Sequence, residues 1–276
     1  MTRIFKKHRI LSQIFKRENV ILILDNLIGG KMINPNKTPA ERDIKEIRET
    51  VIKTTIGRRQ KTFNIAGYEI RLTAQSGVYL SAGFGDDLGD SGYYAREIPN
   101  MVSESFLEIG TGSGIISISV AVVHPNIKIV ATDINHDAVI NAGINFFLNL
   151  PKYELEERIN LRNGSMFEPI KEGEKFKFIF WNHPFHRGTD HETFTEMTGF
   201  DPQFHGFEEY IKNGHNFLEK DGKLLLGSGN FADLSDMRKI LKKNNRQMNL
   251  LRWVHKPVKN LKGGEFNTYN IYEIRR

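Results

Sequence analysis

Read for hydrophobic periodicity, the chain changes character near residue 100. Beyond that point short apolar runs alternate with longer segments of helical spacing. Strands are expected at Ser105–Ile109, Ile127–Thr132, Phe176–Trp181 and Lys223–Gly227. Helices are expected at Gly114–Val123, Asp137–Leu150 and Phe207–Leu218. Such alternation predicts a mainly parallel sheet with helices on both faces. Two last strands, Leu250–His255 and Asn267–Ile274, have no helix between them and are expected to pair antiparallel.

The first hundred residues read differently. The start of the chain is expected to be mostly helical. Thr38-Pro39-Ala40-Glu41 is a capping box with proline at the first helical position, and Ile44, Ile47, Val51 and Ile52 follow at helical intervals. A hairpin is expected from Thr62–Ile65 and Tyr68–Leu72 around Ala66-Gly67. Gly77, Gly83, Gly85, Gly89 and Gly92 then predict a loop over residues 76–92, either a plain connection or a cover over a ligand. The pattern divides the chain into a small, mostly helical region with a hairpin at 1–75, for substrate recognition or as a lid, and an α/β domain at 76–276.

Composition narrows the classes. A hydrophobic fraction of 39% against 26% charged residues supplies a core and excludes a wholly disordered chain. No apolar run approaches the roughly 18 residues of a membrane span. The basic N-terminus is not followed by the apolar stretch and cleavage site of a secretory signal. There are no cysteines, so disulfides, cysteine zinc sites and iron–sulfur clusters are excluded. These features together predict a cytoplasmic location. The net charge of +6 favours anionic partners such as nucleic acid. It is concentrated at Arg3, Lys6, Lys7, Arg9, Lys16 and Arg17, and again over Arg238–Arg246 and Arg252–Lys262. Solvated helix faces account for these clusters equally well.

The candidate chemistry begins where the first strand of the α/β region runs into Gly110-x-Gly112-x-Gly114. A dinucleotide fingerprint needs a third glycine at the sixth position, which here is Ile115. No phosphate-cradling Gly-Lys-Ser/Thr loop is present either. The next strand ends at Asp133, 23 residues after Gly110. A carboxylate there can accept both hydroxyls of a ribose, or can cap the following helix.

In these residues the chain resembles the class I S-adenosylmethionine-dependent methyltransferases, over about residues 76–275. Phe106-Leu-Glu-Ile-Gly-Thr-Gly-Ser-Gly114 is similar to the family's first motif and Ala131-Thr-Asp-Ile-Asn135 to its second. The resemblance implies a Rossmann-like, doubly wound, mainly parallel seven-stranded sheet ending in an antiparallel hairpin. It also implies S-adenosylmethionine as cofactor. Glu108 and the backbone of Gly110, Thr111, Gly112 and Gly114 would face the methionine part, Asp133 the ribose and Ile134 the adenine. Ser165-Met166 falls where the family meets the adenine edge, although many relatives carry Asp in place of Ser165.

The strand expected at Phe176–Trp181 runs into Asn182-His183-Pro184-Phe185, which resembles the Asn-Pro-Pro-Tyr/Phe motif of enzymes that methylate planar nitrogens. The resemblance implies that the Asn182 side-chain oxygen and the His183 carbonyl accept the nitrogen's hydrogens and aim its lone pair. Pro184 would stiffen the turn and Phe185 would offer a flat face to a base or amide. Asn182 would also border the cofactor. His183 departs from the family's proline. The carbonyl survives that change, while the imidazole becomes a candidate base or substrate contact. The run Asn182-His-Pro-Phe-His-Arg-Gly188 is similar to ribosomal RNA guanine methyltransferases, whereas the short N-terminal region is similar to release-factor glutamine methyltransferases. The acceptor is therefore expected to be an RNA base amine or a protein glutamine amide.

Two other readings stay open: an S-adenosylmethionine-using enzyme of small-molecule biosynthesis, by methyl transfer to a small metabolite or by other sulfonium chemistry, and a catalytically silent RNA-binding module of the same fold. His183, His186, Asp190 and His191 fit no zinc spacing, so no metal is expected. Phe200, Phe204, Phe207 and Tyr210 recur at helix-like spacing and are expected mainly in the core, with one or two in reach of a substrate pocket.

Overall fold

The computed structural model describes residues 59–79, 89–151, 157–190, 193, 196–257 and 266–276. The helix expected after Thr38, the glycines Gly83 and Gly85, and His191 lie outside them.

A seven-stranded sheet organises the domain, in the order β10-β11-β9-β6-β3-β4-β5. Its strands are β3 (Ser105–Ile109), β4 (Lys128–Asp133), β5 (Ile159–Asn163), β6 (Phe176–Asn182), β9 (Leu218–Gly229), β10 (Gln247–Pro257) and β11 (Phe266–Arg275). Pairings from β5 through β9 are parallel, and those of β11 with β9 and β10 with β11 are antiparallel, as the hydrophobic pattern predicts. β1 (Arg59–Ile65) and β2 (Tyr68–Ala74) form the expected hairpin, and β7 (His186–Gly188) pairs with β8 (Phe200–Pro202).

The period-two alternation of strand side chains splits the core in two. Phe106, Phe178, Phe180 and Leu225 project to one face, beneath α1 (Gly89–Glu97), α2 (Ile115–Val123) and α3 (His136–Asn149). Leu107, Ile109, Ile179, Trp181, Leu224 and Leu226 project to the other, beneath α4 (His205–Asn213) and α5 (Leu234–Lys243). Both faces are covered, so the central strands read as continuous apolar runs.

Several boundaries differ from expectation. Gly89 and Gly92 belong to α1 rather than to a loop; packing of Tyr93 and Tyr94 into the core stabilises a helix that its glycines alone disfavour. α4 stops at Asn213, a short 3-10 turn follows, and Leu218 already begins β9. β5 and α5 escaped the pattern. Ile159-Asn-Leu-Arg-Asn163 is short and largely polar, and the helix with Met237 and Leu241 inward is mostly charged elsewhere.

The hairpin is attached by side chains. Asn141, Asn145 and Asn149 stand one turn apart on α3. Asn149 exchanges two hydrogen bonds with the Arg71 backbone, at 2.8 and 2.7 Å. Asn145 does the same with Thr73, both at 2.8 Å, and Asn141 accepts from Gln75 N while donating to Thr73 O. Four helical residues rise about 6.0 Å and two strand residues about 6.6 Å, so the two ladders stay in step.

Candidate active site

The strand order reverses between β3 and β6, and ligands of open α/β sheets sit in the crevice at the carboxyl ends of such strands. Ile109 pairs with both Thr132 and Trp181. The glycine turn after β3 is therefore one strand spacing, about 4.8 Å, from Asp133 on one side and from Asn182 on the other.

Gly110, Gly112 and Gly114 all have positive φ, at 65°, 53° and 83°. A side chain at Gly110 would lie 3.1 Å from the Trp181 indole nitrogen, so backbone conformation and packing both require glycine there. Glu108 fixes the turn from within. Its Oε2 accepts from Thr111 Oγ1 at 2.9 Å, from Ser117 N at 3.1 Å and from the Ser117 hydroxyl. It thereby caps the start of α2, which has no side-chain cap of its own. Burial pushes its carboxyl up to about 7 against these hydrogen bonds.

Asp133 is 9% exposed. Its Oδ2 accepts from Gly112 N and its Oδ1 from Asn135 N, both at 2.9 Å. The cap of α3 is Asn135, whose side chain accepts from Asp137 N, so Asp133 is not engaged as a helix cap. Burial raises its carboxyl to about 6, with the two N–H groups opposing. Ile134 beside it is 39% exposed, which is unusual for an isoleucine next to a buried strand end. Asn163 Nδ2 donates to the carbonyls of Asp133 and Ile134, each at 2.9 Å. Gly164 N reaches Asp133 O, which places Ser165-Met166 beside Ile134. Ser165 is half-buried, while the Met166 side chain turns into the core.

Across the turn, Asn182 Nδ2 donates to Asp90 Oδ2 at 3.0 Å. Asp90 opens α1 and is half-buried, with its carboxyl raised by burial. The Asn182 Oδ1 is buried and has no partner among the described residues. His183 is 2% exposed and edged by Trp181, Phe185 and Phe207. Its Nε2 meets Ser228 Oγ at 3.2 Å. Burial holds its imidazole down to about 3, so it is neutral. Pro184 is half-buried. Phe185 is buried between the edges of His183 and Phe231 and does not lie open as a platform. Phe200, Phe204, Phe207 and Tyr210 are at most 1% exposed and belong to the core. His186 contacts Asp233 and Phe200, and no group of three or more metal-ligating side chains occurs among the described residues.

The family model for the methyltransferase small domain matches residues 69–252. The chain belongs to this family.

The bifunctional methyltransferase of Rickettsia prowazekii is 34% identical over 148 residues, covering 50% of this chain and 27% of that protein. The release factor glutamine methyltransferase of Aliivibrio fischeri is 31% identical over 140 residues, 46% of each chain. Ribosomal RNA small subunit methyltransferase C of Psychromonas ingrahamii is 27% identical over 190 residues, 68% of this chain and 48% of that one. The chain thus spans half or less of these relatives. Among solved structures, a T. thermophilus 16S rRNA N2 methyltransferase in complex with AdoMet and guanosine shares the fold. Its TM-score is 0.53 and its identity 16%, over 79% of this chain and 51% of that one.

This methyltransferase domain takes S-adenosylmethionine as cofactor, and its residues fit that group. The residues that would hold it are Asp133, with a carboxylate at the end of β4, the exposed Ile134 beside it, and the backbone of the glycine turn. No described helix is long and apolar enough to cross a membrane. The motifs alone did not single out Asp90, Ser117, Asn163 or Phe231. Asp90 and Phe231 lie 92 and 49 residues from Asn182 in sequence, and only the fold brings them to its loop.

Proposed function

We propose that this methyltransferase domain transfers a methyl group to a planar nitrogen, the exocyclic amine of an RNA base or the side-chain amide of a glutamine. One observation carries the reading: the Asn182 amide is held through its NH2 by Asp90, which leaves a buried carbonyl oxygen without a partner beside the glycine turn. When bound, S-adenosylmethionine supplies an electrophilic methyl group on a sulfonium. A planar nitrogen is a weak nucleophile because its lone pair is delocalised. Asn182 Oδ1 accepts one of its hydrogens and the His183 carbonyl the other, which turns the lone pair toward the methyl donor. As the C–N bond forms the C–S bond breaks and the thioether leaves. The methylated nitrogen, now strongly acidic, releases one of those hydrogens to water, so no strong base is required. Leaving a buried acceptor unpaired costs about 1–3 kcal/mol, and a substrate N–H offsets that cost where a C–H does not.

The names of the relatives are in keeping with both acceptors. The departure from the motif at His183 slightly favours a small-metabolite acceptor, but its imidazole is buried, neutral and packed among aromatic rings, which adds no support. The test is label transfer from methyl-labelled cofactor into fractionated RNA, protein and small-molecule extracts, by wild type and Asn182→Ala. Label should enter RNA or protein with wild type and drop by two orders of magnitude or more with the variant. Label confined to small molecules, or unchanged turnover in Asn182→Ala, refutes the reading.

A further inference from the structure

Among the described residues β10 is one edge of the large sheet, and it carries two large apolar side chains in solvent, Trp253 at 56% exposed and Leu250 at 51%. Edge strands ordinarily hide or charge such positions. Trp253 pairs in register with Asn270, and Asn270 with Ser228, whose hydroxyl touches His183. Trp253 therefore sits at the level of the Asn182 loop, three strand spacings or about 14 Å across the sheet. The His255 ring lies 4.5 Å from the indole and is tied to Thr268 Oγ1 at 2.7 Å, so the two rings form one braced aromatic patch.

The surroundings are cationic. Residues 234–276 hold eleven Lys and Arg against three Asp and Glu, so this segment alone exceeds the net charge of the whole chain. Arg238 and Lys242 on α5, which packs on the same side of the sheet as Trp253, are exposed, and so is Arg252, whose side chain stands on the opposite face of the same edge strand. None of the three has an ion-pair partner among the described residues. Pairing of two copies edge to edge is opposed by the β-bulge at Leu250/Arg252, by the cations and by Pro257. A stacking surface flanked by cations suits a polyanion with flat faces.

We infer that the β10 edge, centred on Trp253 and His255, with Arg238 and Lys242 on the same face and Arg252 on the other, binds single-stranded RNA by stacking an unpaired base on Trp253. This extends the RNA branch of the proposed function and names a docking surface outside the methyl-transfer crevice. A segment of a few nucleotides spans the distance from Trp253 to Asn182.

The chain has two tryptophans, and Trp181 is buried, so fluorescence quenching reports on Trp253. The full chain without cofactor is titrated with a single-stranded RNA dodecamer and with polyglutamate of equal charge. Anisotropy of the labelled RNA then compares wild type with Trp253→Ala, Trp253→Phe and Arg252→Gln. RNA should quench and polyglutamate should not. Trp253→Ala should weaken RNA binding about tenfold or more, Trp253→Phe much less, and Arg252→Gln should flatten the salt dependence. Wild-type RNA affinity in Trp253→Ala overturns the inference. Equal quenching by polyglutamate, which marks an acidic protein partner, overturns it too. So does a concentration-dependent dimer abolished by the same substitution. Because no turnover is measured, failure here leaves the Asn182 chemistry standing. RNA binding by a protein that fails the label-transfer test would leave the docking surface standing instead.

Discussion

Asn182 and Asp90, 92 residues apart in the chain, meet through a single 3.0 Å hydrogen bond that decides which end of the Asn182 amide faces the crevice. The carboxylate accepts, so the NH2 points to α1 and the carbonyl oxygen is left for another donor. Asp90→Ala removes the constraint and lets the amide rotate. We expect kcat to fall roughly tenfold to a hundredfold while cofactor affinity changes little. Asp90→Asn, which keeps an acceptor, should recover part of the loss. Turnover kinetics and calorimetry of cofactor binding separate the two effects, and a loss of affinity equal to the loss of kcat would contradict the positioning role.

Asp133 predicts a pH dependence of cofactor binding. Its folded carboxyl is raised to about 6 by burial, and ribose hydroxyls donate to the ionised form. Affinity should be full above that pH and decline by up to about tenfold per unit below it. Asp133→Ala should weaken binding roughly tenfold to a hundredfold at neutral pH and abolish this limb. Calorimetric titrations between pH 5 and 8, from about one unit below the transition to about two above it, test it. An unchanged limb in the variant would assign the proton elsewhere.

His183 predicts the opposite pairing of effects. The imidazole is neutral above about 3 in the folded chain against 6.5 as its ordinary value, so the unfolded chain binds more protons between these limits. Stability therefore rises with pH across that window. His183→Pro retains the backbone carbonyl. It should keep turnover within a few-fold, leave the shape of the pH–rate profile unchanged, and flatten the acid side of the stability curve. A vanished kinetic limb near neutral pH would instead make the imidazole a participant.

Asn145 makes three hydrogen bonds through one amide, to Thr73 N, Thr73 O and Ser113 O, in a buried setting. Asn145→Ala leaves Thr73 N without that acceptor and loosens both the hairpin and the glycine turn. Urea denaturation should show a loss of about 2–4 kcal/mol. Half-buried Asn149, substituted in the same way, should lose less than half as much.

The alternation of buried runs and helical spacing was enough to place the sheet, because strands covered on both faces cannot hide their hydrophobicity. It failed at β5, whose Asn160 and Arg162 read as loop, and at α1, where Gly89 and Gly92 masked a helix stabilised by Tyr93 and Tyr94. The glycine turn, Asp133 and Asn182 were legible because each stands at the end of an apolar strand. Asp90 was not, since a carboxylate in a glycine-rich segment has no local signature of the amide it will hold. Phe185 was legible as aromatic, but only packing against His183 and Phe231 reveals that its faces are taken.

The three asparagines of α3 grip β2 entirely through its main-chain N–H and C=O groups. This socket is blind to the side chains it holds. Exposed residues such as Glu69 and Arg71 can be replaced without disturbing the joint, whereas Ile65, Ile70, Leu72 and Ala74 on the other face are packed in the core and must stay apolar. A graft of the hairpin from another methyltransferase, with Asn141, Asn145 and Asn149 retained, should dock on the same helix.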